Sequence, residues 1–209
     1  MRQETGSIPG RFNLVNNDLT LTLMDVEALA LGGSTIGSYV SLGVLEHFHY
    51  GMEKSLAEAW RVLKPGGLIF ISVPHFNALR RFLARSGRFE RVPPDQVAVE
   101  RFYQYALSAG QLREILEKNR FECLEESYFS VIKGLRDELR WLKRLYRFYQ
   151  ELLGRSTLHR IPAKMVSLLL RLIEKTAELP FLKKRCSHIV MVVAKKSPDP
   201  VPTSQPEAP

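Results

Sequence analysis

Apolar and threonine positions alternate from Leu19 to Met24 (LTLTLM), a period of two that predicts a short strand ending at Asp25. Gly32, Gly33 and Gly37 then interrupt any regular element, and Tyr39 to Gly43 predicts the next strand. From Met52 to Leu63 the period changes. Leu56, Trp60 and Leu63 recur at helical spacing, with Glu53, Lys54, Glu58 and Arg61 on the other face. This amphipathic helix must stop near Lys64, because Pro65 disfavours the α conformation of the residue before it and Gly66-Gly67 supply a tight turn. Leu68 to Val73 (LIFISV) is almost wholly apolar, the mark of a strand covered on both faces, and Pro74 ends it.

Strand, helix and strand in that order make a crossover unit, for which a parallel connection is strongly favoured, so the fold class expected is α/β. Ser108 can cap a helix carrying Leu112, Ile115 and Leu116. Phe121 to Phe129 and His188 to Ala194 are two further strand candidates. Between those strands lies a basic insertion, about 133–185, that reads as two amphipathic helices. The first has Leu135, Leu139, Leu142, Leu145, Tyr149 and Leu152 on one stripe; the second starts at Pro162 and carries Met165, Leu168, Leu169, Leu172 and Ile173.

At 209 residues with 45% hydrophobic content, the chain suits one globular domain, residues 1–196, followed by a Pro-rich polar tail, 197–209, that is expected to be disordered. No apolar run reaches the roughly 18 to 20 residues of a membrane span, and no signal-peptide pattern opens the chain. Cys123 and Cys186 have no metal spacing, so a reduced cytoplasmic protein is expected. The formal charge of +8 comes essentially from the insertion, and a positive field so concentrated favours anionic partners.

Three blocks resemble one family. Asp25-Val26-Glu27-Ala28-Leu29 resembles the acidic loop after the third strand of class I S-adenosylmethionine-dependent methyltransferases, Val40 to Phe48 (VSLGVLEHF) resembles their fourth strand and its exit, and Arg61 to Pro74 (RVLKPGGLIFISVP) resembles the turn into their fifth strand. Phe102 to Phe121 resembles the late helix of the same family. The resemblance implies a Rossmann-like parallel sheet with a final antiparallel strand, here N-terminally truncated and with the basic helical insertion before the last strand.

It also implies S-adenosylmethionine as cofactor. The residue matching Asp25 accepts a hydrogen bond from the adenine amino group, the backbone amide matching Val26 helps hold the ring, and Ser41 and Leu42 lie where the fourth strand exits toward the methionine portion. His47 is the candidate general base on an acceptor hydroxyl or amine, with a structural loop cap as its alternative. A metal is not expected, since Glu46, His47 and His49 lack the spacing of a metal-binding motif. The segments Pro74 to Arg101 and Lys133 to Arg185 would form a lid over a small or lipid-linked acceptor.

Departures from the family pattern are plain. Ile36-Gly37 stands where the family shows Phe-Asp, and its glycine-rich loop and second-strand acidic residue find no counterpart among residues 1–24. Loss of the first two strands would expose a sheet edge: either Phe12 to Val15 and Leu19 to Met24 re-pair against the fourth strand, or a strand of a second chain covers it, or the fold is poorly stable. An alternative function is therefore a non-catalytic remnant acting as a binding module whose basic helices lie peripherally on an anionic membrane. Nucleic acid is not expected, because Tyr146, Phe148 and Tyr149 beside Arg144 and Arg147 come with no recognition motif.

Overall fold

The structure, a computed structural model, describes residues 22–87, 102–153, 160–177 and 179–198. Strand β1 (Ile36–Leu42) runs into a short 3-10 turn (Leu45–His47), helix α1 (Glu53–Val62) and strand β2 (Leu63–Pro74). Helices α2 (Ala78–Arg85) and α3 (Ala109–Lys118) follow, then strand β3 (Phe121–Phe129). Four helices, α4 (Val131–Glu138), α5 (Arg140–Leu153), α6 (Arg160–Ala177) and α7 (Pro180–Cys186), precede the last strand β4 (Ile189–Lys196).

The four strands form one sheet in the order β1-β2-β4-β3. β1 and β2 are parallel, with Tyr39 beside Ile69 and Ser41 beside Ile71, as the crossover pattern requires. β4 runs antiparallel between β2 and β3, which makes this the Rossmann-like sheet with a final antiparallel strand expected from the sequence.

Register decides which side chains share a face, because laterally paired residues point the same way. Ile69, Ile71 and Val73 on β2 align with Ala194, Val192 and Val190 on β4, and all six are buried against Leu56 and Ala59 of α1 and Leu112 and Leu116 of α3. Each side chain so buried contributes roughly 1.5 to 3 kcal/mol for the larger ones. The other face is covered less well: Val40 and Leu42 on β1 are 61% and 60% exposed.

Several expected boundaries move. α1 ends at Val62, but no turn separates it from β2, since Leu63 is already extended and pairs with Ile36. The Pro65-Gly66-Gly67 segment is absorbed as an irregularity between the pairs Ile36–Leu63 and Ser38–Leu68. Gly66 takes φ +73°, and a Cβ on Gly67 would sit 3.0 Å from the Gly37 carbonyl oxygen, so the bend passes too close to β1 for a side chain.

Ser108 caps α3 as expected, in a full capping box with Gln111. Residues 22–24, the described part of the strand expected over Leu19 to Met24, are not in a strand. Asp25 instead makes an isolated bridge to Ala28. Residues 12–15, 19–21, 88–101, 154–159, 178 and 199–209, on which the remaining edge, lid and tail expectations fall, lie outside the described residues.

Among the described residues the insertion holds four helices where the apolar pattern suggested two. The break between α4 and α5 falls at Leu139, with φ −99° and ψ 102°, and no Gly or Pro marks it. Its cause is tertiary, in contacts described below. α7 opens with Pro180 at its first position, which is a legible helix start. α6 begins at Arg160 rather than Pro162, and its stripe is rotated from expectation: Leu170 and Ala177 are buried, while Leu168, Leu169 and Leu172 are exposed.

Candidate active site

Open α/β sheets bind ligands beyond the carboxyl ends of their parallel strands, and β1 and β2 both end at one edge. There Leu42 passes into Gly43 at φ +71°, whose N–H is held by the Ser72 carbonyl at 3.1 Å. A non-glycine residue would be strained in that left-handed conformation. The turn brings Leu45, Glu46 and His47 round over the edge, where Leu45 seals into the core.

A pocket of about 290 Å³ opens at this point, lined among others by Gly43, Glu46, His47, Ser72, Tyr103 and His188. The chain from Phe102 crosses the edge as its wall. Tyr105 N–H donates to the Glu46 carbonyl at 2.9 Å, and Leu107 pairs with His75 in an isolated parallel bridge.

His47 is exposed and held by two contacts. Its Nδ1 lies 2.7 Å from the Tyr103 carbonyl oxygen, and its ring meets the Tyr103 ring edge-on with centroids 5.3 Å apart. A carbonyl oxygen has only lone pairs to offer, so Nδ1 must carry the proton and donate. In the neutral ring Nε2 then keeps its lone pair and can accept a proton.

Glu46 is 2% exposed, and its Oε2 has no hydrogen-bond partner among the described residues. Burial pushes its carboxyl above the usual range, only partly offset by its own backbone N–H and by the neighbouring His47. An unmatched buried acceptor of this kind suits a ligand that brings a positive charge or an N–H or O–H donor.

Of the residues singled out in the sequence, the structure brings Ser41, Leu42 and His47 to the same edge. Ser41 is buried on the core face, whereas Leu42 is 60% exposed on the other. Asp25 and Val26 lie apart, in a turn before β1 where Asp25 Oδ1 accepts the Glu27 N–H at 2.9 Å and Val26 packs on the core. No hydrogen bond among the described residues joins that turn to Ser41 or Leu42. The loop after it docks on α1, through Arg61 to the carbonyls of Leu29 and Leu31 and through Glu58 to the Leu29 N–H.

Sequence reasoning missed two groups that later segments bring to this edge, Tyr103 and His188, while Lys133, the first residue of the expected lid segment, also lines the pocket. It also missed a buried network beneath them. Arg80 bonds Glu138 at 2.7 Å, the His75 carbonyl at 3.0 Å and His188 Nδ1 at 3.0 Å, while the Asn77 amide donates to the Ser187 carbonyl at 2.7 Å. Three distant stretches meet there, so no local pattern announces it. Among the described residues no group of three His, Cys, Asp or Glu side chains could hold a metal ion.

The sequence model of a family described as methyltransferase domain matches residues 9–71, which run from before the Asp25 turn to the middle of β2. No curated protein matches. The solved complex between the Haloferax volcanii Trm112 methyltransferase activator and a candidate methyltransferase is similar in fold at 12% identity, with a TM-score of 0.50 over 89% of this chain and 64% of that one. A Methanosarcina mazei SAM-dependent methyltransferase aligns at 13% identity and TM-score 0.46 over 85% and 67%. The cyclase SpnF aligns at 18% identity and TM-score 0.43 over 85% and 56%. The chain thus spans between about half and two thirds of these proteins' lengths.

Proposed function

We propose that this chain, whose residues 9–71 match a methyltransferase-domain family, is a class I S-adenosylmethionine-dependent methyltransferase that transfers a methyl group to a small or lipid-linked acceptor held in the pocket at the carboxyl edge of β1 and β2. The observation that carries this reading is His47, whose Nδ1 is committed to the Tyr103 carbonyl and whose Nε2 is left as a base beside the pocket.

When bound, S-adenosylmethionine supplies an electrophilic methyl carbon. The residues present suit one flank of it. Leu42 offers exposed apolar surface, Gly43 an open turn, and Glu46 a buried acceptor without a partner for a cationic ligand. Asp25, an exposed acceptor in the turn before β1, and the Val26 amide would hold the adenine.

His47 accepts at Nε2 the proton that an acceptor hydroxyl or amine must lose, and the Tyr103 carbonyl stabilises the imidazolium so formed. The segment from Phe102 and helix α4 wall the pocket and restrict water, and orientation within it provides much of the rate. Formation of S-adenosylhomocysteine from S-adenosylmethionine, assayed over a panel of small hydroxyl and amine acceptors, tests the reading. Turnover that His47→Gln lowers supports it; turnover that His47→Gln leaves unchanged removes His47 from the chemistry.

A second reading has its own observation. On α6, Leu168, Leu169 and Leu172 are 71%, 46% and 59% exposed beside Arg171 and Lys175, the make-up of a helix lying on an anionic bilayer. No described helix is long and apolar enough to cross one. Sedimentation with vesicles tests it, since equal pelleting on neutral and anionic lipid would contradict it.

A further inference from the structure

A second cleft, of about 590 Å³, opens where α2, α3 and α7 meet the end of β3, on the α3 side of the sheet. Arg81, Lys184 and Arg185 line it, and none of them makes an ion pair among the described residues. Arg185 packs over the Phe181 ring at 3.9 Å, which leaves its charge unneutralised. One carboxylate, Glu126, faces the same space, but it is already bound to Arg113 at 2.8 Å and to the Tyr128 hydroxyl at 2.7 Å. The balance inside the cleft is positive.

A buried side chain points the same way. His75 is 4% exposed and lines the cleft; its Nδ1 lies 2.6 Å from Ser187 Oγ, and its Nε2 makes no hydrogen bond among the described residues. Burial first, and then the guanidiniums of Arg80 and Arg81, push this imidazole down to about 4, so the ring is neutral at pH 7. The Ser187 hydroxyl can donate to Nδ1, and in that tautomer the single ring proton sits on Nε2, free to donate to a ligand.

The floor is the start of α3. Ser108 and Gln111 satisfy each other, which leaves the N–H groups of Ala109 and Gly110 as the open donors of the first turn. A Cβ built on Gly110 meets nothing within 4 Å, so this approach is clear. Helix N-terminal amides, two guanidiniums, an ammonium and an imidazole nitrogen thus line one space from different elements.

We propose that this cleft binds the phosphate group of a phosphomonoester, with Arg81, Lys184 and Arg185 supplying charge and the His75 Nε2–H and the α3 amides supplying direction. The site stands independently of methyl transfer. Its ligand is either a soluble phosphate ester or a lipid with a terminal phosphate, since the recognised chemistry is the same.

Calorimetric titration of the full chain with inorganic phosphate and with glycerol 3-phosphate, without S-adenosylmethionine, tests the proposal. Saturable binding is expected, weakened at least about tenfold in the Arg81→Gln, Lys184→Gln double variant because two charge-assisted contacts are lost. The equal charge change on α6, Arg171→Gln with Lys175→Gln, is expected to leave binding within about twofold. No saturable binding at 20 mM phosphate (on the order of the weakest useful affinity), or equal loss in both variants, overturns the proposal. Vesicles of phosphatidic acid distinguish the two sources: displacement from them by inorganic phosphate identifies a lipid headgroup, and binding of the soluble ester without vesicle binding identifies a free one.

Discussion

The guanidinium of Arg80, on α2, lies 2.7 Å from the carboxylate of Glu138, the last residue of α4, and both side chains are almost fully buried. The pair joins the segment after β2 to the helical insertion. It holds α4 across the edge where the candidate active site opens, and the Arg80 guanidinium also reaches His188 at the start of β4.

Glu138→Ala leaves the Arg80 charge buried beside two histidines. Its expected cost is about 3 to 5 kcal/mol, because the penalty of an uncompensated buried ion exceeds the worth of the pair itself. Urea unfolding of the wild type and the variant measures it, and a change below about 1 kcal/mol would show that the pair is solvated.

Gly134 and Gly110 form a matched test of packing. A Cβ on Gly134 would run into the Cys186 carbonyl oxygen and lie 3.2 Å from the His188 nitrogen, both backbone atoms with little room to move. Gly134→Ala should therefore cost about 1 to 3 kcal/mol. Gly110→Ala, with open space and a helical position, should be neutral or stabilising by up to about 1 kcal/mol. Thermal unfolding of both variants checks the contrast.

Acid should destabilise the fold in a defined window. His75 falls from 6.5 in the unfolded chain to about 4 in the fold, so the unfolded state binds more protons between those values and stability drops as pH falls through them. The contribution is on the order of 3 kcal/mol at most. His188, also pushed down by burial, adds in the same direction. The buried Glu46 carboxyl, pushed up, acts oppositely just above its ordinary 4.5. Denaturant unfolding at pH 7 and pH 5 should show lower stability at pH 5, and His75→Gln should flatten the difference.

What the sequence reveals follows from how local each signal is. The Met52 to Leu63 period, the apolar run after Gly67 and the Ser108 cap all depend on neighbours in the chain, and each element is present to within a few residues. The α4–α5 break at Leu139 was not legible, since it rests on contacts of α4 with Arg80 and with the backbone at Cys186 and His188. The same holds at the edge: Ser41, Leu42 and His47 come from one stretch, whereas the groups opposite them come from Tyr103, Lys133 and His188. α6 misled because apolar residues surround much of the helix, and periodicity alone could not choose which side faces inward.

His47→Gln removes the proposed base at the pocket while keeping a side chain of similar reach. The turnover of S-adenosylmethionine with a productive acceptor should fall by roughly 10²- to 10⁴-fold, the usual worth of a positioned general base. Stability should change little, since His47 is exposed. Single-turnover kinetics beside a denaturation curve separates the two effects.

The most direct measurement is a calorimetric titration of S-adenosylmethionine into the chain and into its Leu42→Asp variant, which places a carboxylate on the exposed end of β1. The account predicts saturable wild-type binding with a Kd on the order of 1 to 100 μM, altered at least about threefold by the substitution. Absence of saturable heat up to millimolar cofactor, or binding indifferent to Leu42, would contradict a cofactor seat at the carboxyl edge.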